Sequence, residues 1–374
     1  MSLPGILFTL LAGENIPQPA SPAIMEALES IEVTHSDEAH SGFQMTLQAG
    51  RQARNGLRDY PLLKDSTLNP CSRVIMIVTF KGRSYVIMDG IITTHELAPG
   101  NEPGSSTLRI TGEDISLMMD REEKSAPHPA QDEAAIARNI ISSYAKYGMT
   151  ADVRNPPISD SPTPNERVPI QQGTDLEHLK AMANRYAYVF YVIPGPVPQS
   201  SIAYWGPPRR DDPTQPAIFV GTGPESCVDS VSFQNNSLAA VRVQGAVQDR
   251  ATNQSQKVQN SSPAQPSLSS QPALETQTCI RKKILRGQEG LNSSQATAKA
   301  QAMSDSSNNA VSVQGELDTQ RYGNLLQARG VVTVKGAGYC YDGLYYVKKV
   351  THIISRGSYR QRFTLTRDGL GSTV

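Results

Sequence analysis

Arg73-Val74-Ile75-Met76-Ile77-Val78-Thr79-Phe80, then Lys81-Gly82, then Arg83-Ser84-Tyr85-Val86-Ile87-Met88-Asp89-Gly90-Ile91-Ile92 is the stretch whose reading decides the fold class. Two apolar, β-branched runs flank a two-residue glycine turn, the pattern of a β-hairpin. Upstream, Ile31–His35 and Phe43–Leu47 alternate apolar and polar residues, as strands with one buried face do. Downstream, Thr107–Thr111 supplies another strand, and Gly112-Glu113-Asp114-Ile115-Ser116 opens a brief helix ending near Asp120-Arg121. The run Ile6-Leu7-Phe8-Thr9-Leu10-Leu11-Ala12 has no basic flank before it and no convincing cleavage site after it, so it reads as a buried first strand.

The pattern changes after Lys124. Asp132–Tyr147 has acidic residues in its first turn and Ile136, Ile140, Ile141 and Tyr144 at helical spacing, with Gly148 as the stop. Asn155–Pro169 carries five prolines and reads as a loop. Thr174 with Glu177 predicts a capping box for a second helix, and Tyr188–Ile193 and Ile202–Trp205 a strand pair after it. Strands return in Val228–Phe233, Leu238–Val247, Cys279–Leu285, Val331–Lys335, Tyr345–Ile354 and Tyr359–Thr366, with an Ala-rich helix at Ser293–Met303. Residues 248–278, rich in Gln, Ser, Asn and Pro, read as a flexible polar insertion, because they carry too little apolar surface to offset their ordering entropy.

One internal echo links the two β-rich ends. Gly82-Arg83-Ser84-Tyr85-Val86 has the spacing of Gly343-Leu344-Tyr345-Tyr346-Val347. Each is followed by a strand ending in Thr, Leu108-Arg109-Ile110-Thr111 and Phe363-Thr364-Leu365-Thr366. A domain duplication is the expectation, with chance convergence of two hairpins as its alternative. The fold class is α+β and β-rich, with two similar β domains flanking a small α+β module.

The 374 residues carry 35 Lys+Arg and 35 Asp+Glu, a formal net charge of zero, so no basic excess favours a nucleic-acid partner. No stretch is apolar for long enough to span a bilayer, and a soluble chain made in the cytoplasm is expected. Cys71, Cys227, Cys279 and Cys340 lie far apart and are expected as reduced, mostly buried thiols. The acidic pairs Glu113-Asp114, Glu122-Glu123 and Asp132-Glu133 sit at or beside helix starts, where they offset the helix dipole. Asp59, Asp89 and Asp342 flank turns; His35, His40, His95, His128, His178 and His352 are scattered; Gly336, Gly338 and Gly343 are turn glycines, not a phosphate loop. Arg281-Lys282-Lys283 suits a solvated strand edge or a protein contact, and Arg209-Arg210 is a second short basic cluster. No catalytic residue, cofactor site or metal site is singled out.

Four segments resemble the phage late-control protein D family, the central baseplate hubs of contractile tails and injection systems, and the front half of type VI secretion spike proteins. They are Gly112–Ser116 through Met119–Glu123; Thr174–Ala183 with Tyr186-Ala187-Tyr188; Trp205-Gly206-Pro207-Pro208; and Val313-Gln314-Gly315, Val331–Gly336, Asp342–Val347, His352, Tyr359, Phe363 and Arg367–Gly371. The resemblance spans residues 25–374 in order. It implies tube-type β-barrel domains at 1–125 and 226–374, with an α+β middle domain at 126–225. It further implies a non-enzymatic homotrimer whose six barrels adapt a trimeric spike to a hexameric inner tube, inside the baseplate of a tail-like particle. Partners implied are the chain itself, a separate spike protein (none is fused after Val374), the inner tube ring and other baseplate proteins, with no nucleic acid and no membrane insertion. The alternatives are a tail-carried cell-wall or glycan hydrolase, with Glu113 or Asp114 as its least poor acids, and a peripheral receptor-binding β protein.

Overall fold

The computed structural model describes residues 2–3, 5–14, 16–50, 60–102, 105–157, 168–221, 223–248, 254–259, 264–286 and 293–373. The expected loop 155–169 and the candidate Asp59 lie largely or wholly outside them. The first β unit holds β1 (Ile6–Gly13), β2 (Leu28–Ser36), β3 (Gly42–Gln48), β4 (Arg73–Phe80), β5 (Arg83–Ala98) and β6 (Thr107–Asp114). A six-residue helix, α1 (Pro22–Ala27), is capped by Ser21 and leads into β2. The hydrogen-bonded order is β1-β4-β5-β6-β3-β2. Ile6, Phe8, Leu10 and Ala12 alternate inward along β1 and meet Ile31, Val33, Met45 and Leu47 in one core. The sheet therefore curls round its apolar face. Most of the intervening residues of β1–β3 stay half-buried or exposed, Gly13 and Ser36 excepted, as a one-sided sheet requires.

The middle module follows: β7 (Glu123–Pro127), α2 (Glu133–Ser142), β8 (Met149–Val153), β9 (Ile170–Thr174), α3 (Asp175–Asn184), β10 (Val189–Pro194) and β11 (Ser201–Gly206). Asp132 caps α2 through Ala135 N at 2.7 Å, and Thr174 and Glu177 form the capping box on α3. In the sheet β8-β11-β10, β11 runs parallel to β8 and antiparallel to β10. The Trp205 indole, fully buried, donates to Leu179 O at 3.1 Å and so fixes the sheet against α3.

The second β unit starts before residue 226, where the sequence placed the boundary. Its strands are β12 (Gln215–Phe219) and β13 (Val228–Asn235), then a separate sheet of β14 (Val241–Gln248), β15 (Ser255–Gln259) and β16 (Arg281–Ile284) packed on α4 (Ser293–Ser307), then β17 (Val311–Asp318), β18 (Val331–Lys335), β19 (Gly343–Ser355) and β20 (Ser358–Arg367). The main sheet runs β12-β18-β19-β20-β17-β13. In sequence order this is 1-4-5-6-3-2, the order of the first unit. β12 runs parallel to β18, however, whereas β1 is antiparallel to β4.

Irregularities repeat as well. A register shift lies between Leu28 and Ser30 in β2 and between Val228 and Ser230 in β13, each against the third strand of its unit. Another lies between Ile92 and Thr94 in β5 and between Val347 and Lys349 in β19, each against the sixth. The duplication is therefore visible in topology and bulges. The sequence echo is out of step with it. The bulges match Ile92 to Val347, six residues from the Val86–Val347 alignment, so that echo is the convergence of two hairpins.

Two further expectations change. The sequence places Leu238–Val247 as a strand of the second barrel, but β14 belongs to the separate sheet, with Val241, Val243 and Val247 packed on Ala296 and Ala300 of α4. Residues 248–278, expected as a flexible insertion, have regular structure where described. β15 pairs with β14, Gln271–Pro272 pairs with Gly369–Leu370, and Leu268, Ala273 and Leu274 are buried. The buried Asp368 carboxylate accepts from Ser267 Oγ and Leu268 N. A few apolar anchors and one carboxylate hold what bulk composition assigns to disorder.

Candidate functional site

The β units are joined by one strand. β19 is 13 residues long, and its first part pairs with β18 through Gly343–Tyr346. After the bulge at Val347–Lys349 it turns away and pairs with β2 of the first unit, Ser30 opposite Ser355 through Ser36 opposite Lys349. One sheet thus runs through both units.

The inner side of this seam is buried and polar. His35 Nε2 donates to Ile87 O at 2.7 Å, and its ring meets His352 edge-on with centroids 5.8 Å apart. His352 Nδ1 lies 2.8 Å from the Tyr359 hydroxyl and 3.2 Å from Gln361 Nε2. Gln361 spends its other groups on Leu326 N and O. Burial, then Arg329, then His352 push His35 down to about 3, and burial pushes His352 down to about 4. Both rings are neutral at physiological pH.

Arg329 locks all three parts together. Its guanidinium donates to Ser36 O (2.7 Å) and Ser41 Oγ (2.8 Å) of the first unit and to Val192 O (3.3 Å) of the middle module, and lies 4.0 Å over the Tyr191 ring. Burial lowers its affinity for the proton, while neighbouring Tyr191, Asp114, Tyr346 and Asp37 favour the charged form.

The outer side of the seam is a polar groove of about 680 Å³. Thr34 and Thr351 share a hydrogen bond across the seam at 2.9 Å. Beyond them, Glu316 accepts from Arg362 (2.9 Å) and Arg360 (3.1 Å), which hold its carboxyl below the usual range. Arg109 and Glu96 form a comparable exposed pair on the first unit at 3.1 Å. Exposed pairs of this kind are worth little energy. Chemically the face offers hydroxyls, amides and balanced charge: a surface for lining or contact.

The acidic pairs do not converge. Adjacent on one strand, Glu113 and Asp114 point to opposite faces. Asp114 is buried and accepts from Ser116 N at 2.9 Å, whereas Glu113 is half-buried beside His40 Nδ1 at 3.4 Å. Asp132 is a helix cap, and the buried Glu133 lies 3.5 Å from Arg185. Asp89 accepts a two-pronged bond from Arg73, both arms 2.7 Å, and Asp342 accepts from Ala337 N.

The structure brings His35 to His352 and stacks His128 on His178, pairings with no trace in sequence spacing; among the described residues no group of three metal-type ligands gathers. Arg281–Ile284 is the exposed edge strand β16. Arg209–Arg210 is no free basic cluster: Arg209 pairs with Asp152 at 2.6 Å, and the buried Arg210 donates to Asn309 Oδ1. The thiols correct one expectation. Cys227 is buried, but Cys71, Cys279 and Cys340 are exposed. Gln361 was missed despite a signal, being a polar residue at an inward parity between Tyr359 and Phe363.

No protein-family model matches the chain, and no curated protein matches it in sequence. Solved structures do match. A tail protein from Neisseria meningitidis MC58 superposes with a TM-score of 0.63 at 13% identity, covering 98% of each chain. The 43 kDa tail protein of prophage MuSo2 from Shewanella oneidensis gives 0.64 at 12% identity, over 98% of this chain and 99% of that one. The chain has a phage tail-protein fold. The fold extends to the E. coli c3393 protein, a type VI secretion component with structural similarity to the T4 tail proteins gp27 and gp5, at a TM-score of 0.52, 9% identity, and 91% and 73% coverage. Among the described residues of this tail-protein fold, no helix is long and apolar enough to cross a membrane.

Proposed function

We propose that the chain is a structural, non-enzymatic hub subunit in the baseplate of a contractile, phage-tail-like injection machine. In this reading three copies form a ring, and the ring adapts a threefold spike to a sixfold inner tube. The observation that carries it is the repeat: two β units with the same strand order and two matching bulges, fused through one sheet. Three such chains present six near-equivalent units to a sixfold partner and a threefold set of middle modules to a threefold one. The likeness to solved tail proteins over almost the whole chain supports a place in a tail. The absence of enzymatic activity is supported by the opposed directions of Glu113 and Asp114 and by the use of the buried Asp114 as a backbone acceptor.

Light scattering on the purified chain tests the assembly, with a mass three times the 40.5 kDa protomer expected. A monomer at all accessible concentrations would sink the reading. Electron microscopy of sedimented particles carrying a labelled chain is expected to show density on the axis at one end of a sheathed tube. Label around the periphery would favour a receptor-binding role instead.

A further inference from the structure

The separate sheet β15-β14-β16 ends in a bare, basic edge. Among the described residues β16 pairs only with β14, in parallel, from Arg281 opposite Val241 to Ile284 opposite Gln244. The α4 helix packs on β14 and β15 and leaves all four residues of β16 exposed, Ile284 at 64%. Leu285 N donates to Gln244 O at 2.9 Å. By the alternation of a strand, the N–H and C=O groups of Lys282 and Ile284 therefore point to the open side. The side chains divide likewise, with Arg281 and Lys283 on one face and Lys282 and Ile284 on the other.

Charge is concentrated here. Residues 241–307 hold eight Lys+Arg against four Asp+Glu, in a chain whose charges cancel overall. One of those four acids, Asp305, is buried and accepts from Ala264 N and Gln301 Nε2. Among the described residues Arg281, Lys282 and Lys283 make no ion pair. Lysines on a sheet edge keep like edges apart. The same charges select: they repel a basic strand and attract an acidic one.

We propose that the open edge of β16 is a docking site for an extended acidic segment of another protein, which adds a fourth strand to this sheet. Three consecutive acidic residues would lie opposite Arg281, Lys282 and Lys283, with an apolar residue opposite Ile284. Main-chain bonds to Lys282 and Ile284 hold the segment, and the side chains choose it. A nucleic acid fits less well, because the strand has no aromatic residue on which bases could stack. The site lies outside the seam and stands independently of the ring reading.

The probe is a fluorescent peptide, Thr-Val-Glu-Glu-Glu-Val-Thr, which sets a valine beside the acids in either strand direction. Titrated with the full chain, it should show saturable binding by anisotropy. Arg281→Glu/Lys283→Glu should weaken that binding about tenfold. Salt at about 1 M, where the Debye length is about 3 Å, should weaken it as well. Lys282→Pro should weaken it more than Lys282→Ala, since proline deletes an outward N–H and leaves the ladder to β14 intact. If the charge reversal lowers the urea midpoint, the salt and Lys282 comparisons still decide. No binding, or equal binding of the same peptide with Lys in place of Glu, overturns the proposal. Equal losses from Lys282→Pro and Lys282→Ala overturn strand addition and leave a charged patch. Tighter binding of an oligothymidylate of matching charge would make the edge a nucleic-acid surface instead.

Discussion

Arg329 occupies left-handed backbone at φ 69°, a conformation that costs a non-glycine residue energy and persists here because its guanidinium is held by three acceptors and an aromatic face. Arg329→Ala strands the buried Ser36 and Val192 carbonyls and opens a cavity over Tyr191, at a cost of about 3 kcal/mol, read as a lower urea midpoint. Lys, a point charge without the fork, should restore little of it. The histidine pair gives a pH prediction. An unfolded His titrates near 6.5, whereas folded His352 stays neutral down to about 4. The unfolded chain therefore takes up the proton first. Stability complete above pH 6.5 drains as pH falls toward 4, by up to about 1.4 kcal/mol per pH unit for this ring. His35, lowered to about 3, acts in the same sense. Asp37, raised by burial to about 6, opposes them, because its folded carboxyl binds a proton before the unfolded one. Comparing the wild type with His352→Gln cancels the Asp37 contribution. The variant should lose less stability between pH 6.5 and 4.5 in urea melts, and parallel losses would mean that the folded ring is charged.

At the scale of elements, the two units manage crowding with cross-strand glycines beside phenylalanines. Gly112 of β6 faces Phe43 of β3, and Gly315 of β17 faces Phe363 of β20. A Cβ on Gly112 would meet the Ile91 carbonyl oxygen and the Phe43 ring; one on Gly315 would meet Ser230 O and the Phe363 ring, both at 2.6 Å. Gly112→Ala and Gly315→Ala should each cost about 2 kcal/mol, measured by thermal or urea unfolding. Thr174→Ala removes the capping box of α3 together with the 2.6 Å bond to Asp120, and should cost about 1–2 kcal/mol. These elements were legible in the sequence because their signals are local: a capping box, a two-residue turn, a period of two. β12 and β17 were less so. β12 is short, contains Pro216, and is held as a strand by its parallel pairing with β18, more than a hundred residues away.

For the whole molecule, the proposed ring of copies would make stability depend on mass action. The thermal midpoint should rise with protein concentration if the folded protomer is held by its neighbours, and stay fixed if it is not. An association of copies should also respond weakly to salt, because the chain has no net charge.

The sequence by itself determined the α+β, β-rich class, most individual strands and the two capped helices, since each follows from periodicity or spacing within a few residues. The sequence echo of the repeat lies in the wrong register; the repeat's real marks are strand order and two matching bulges, which exist only once strands are paired. The seam was beyond sequence reading altogether. Ser30–Ser36 meets Lys349–Ser355, and Arg329 meets Ser36 and Val192, across spans in which the chain carries no local record of its partner. Those contacts are set by how two curled sheets with separate cores pack against each other, and tertiary packing alone decides that.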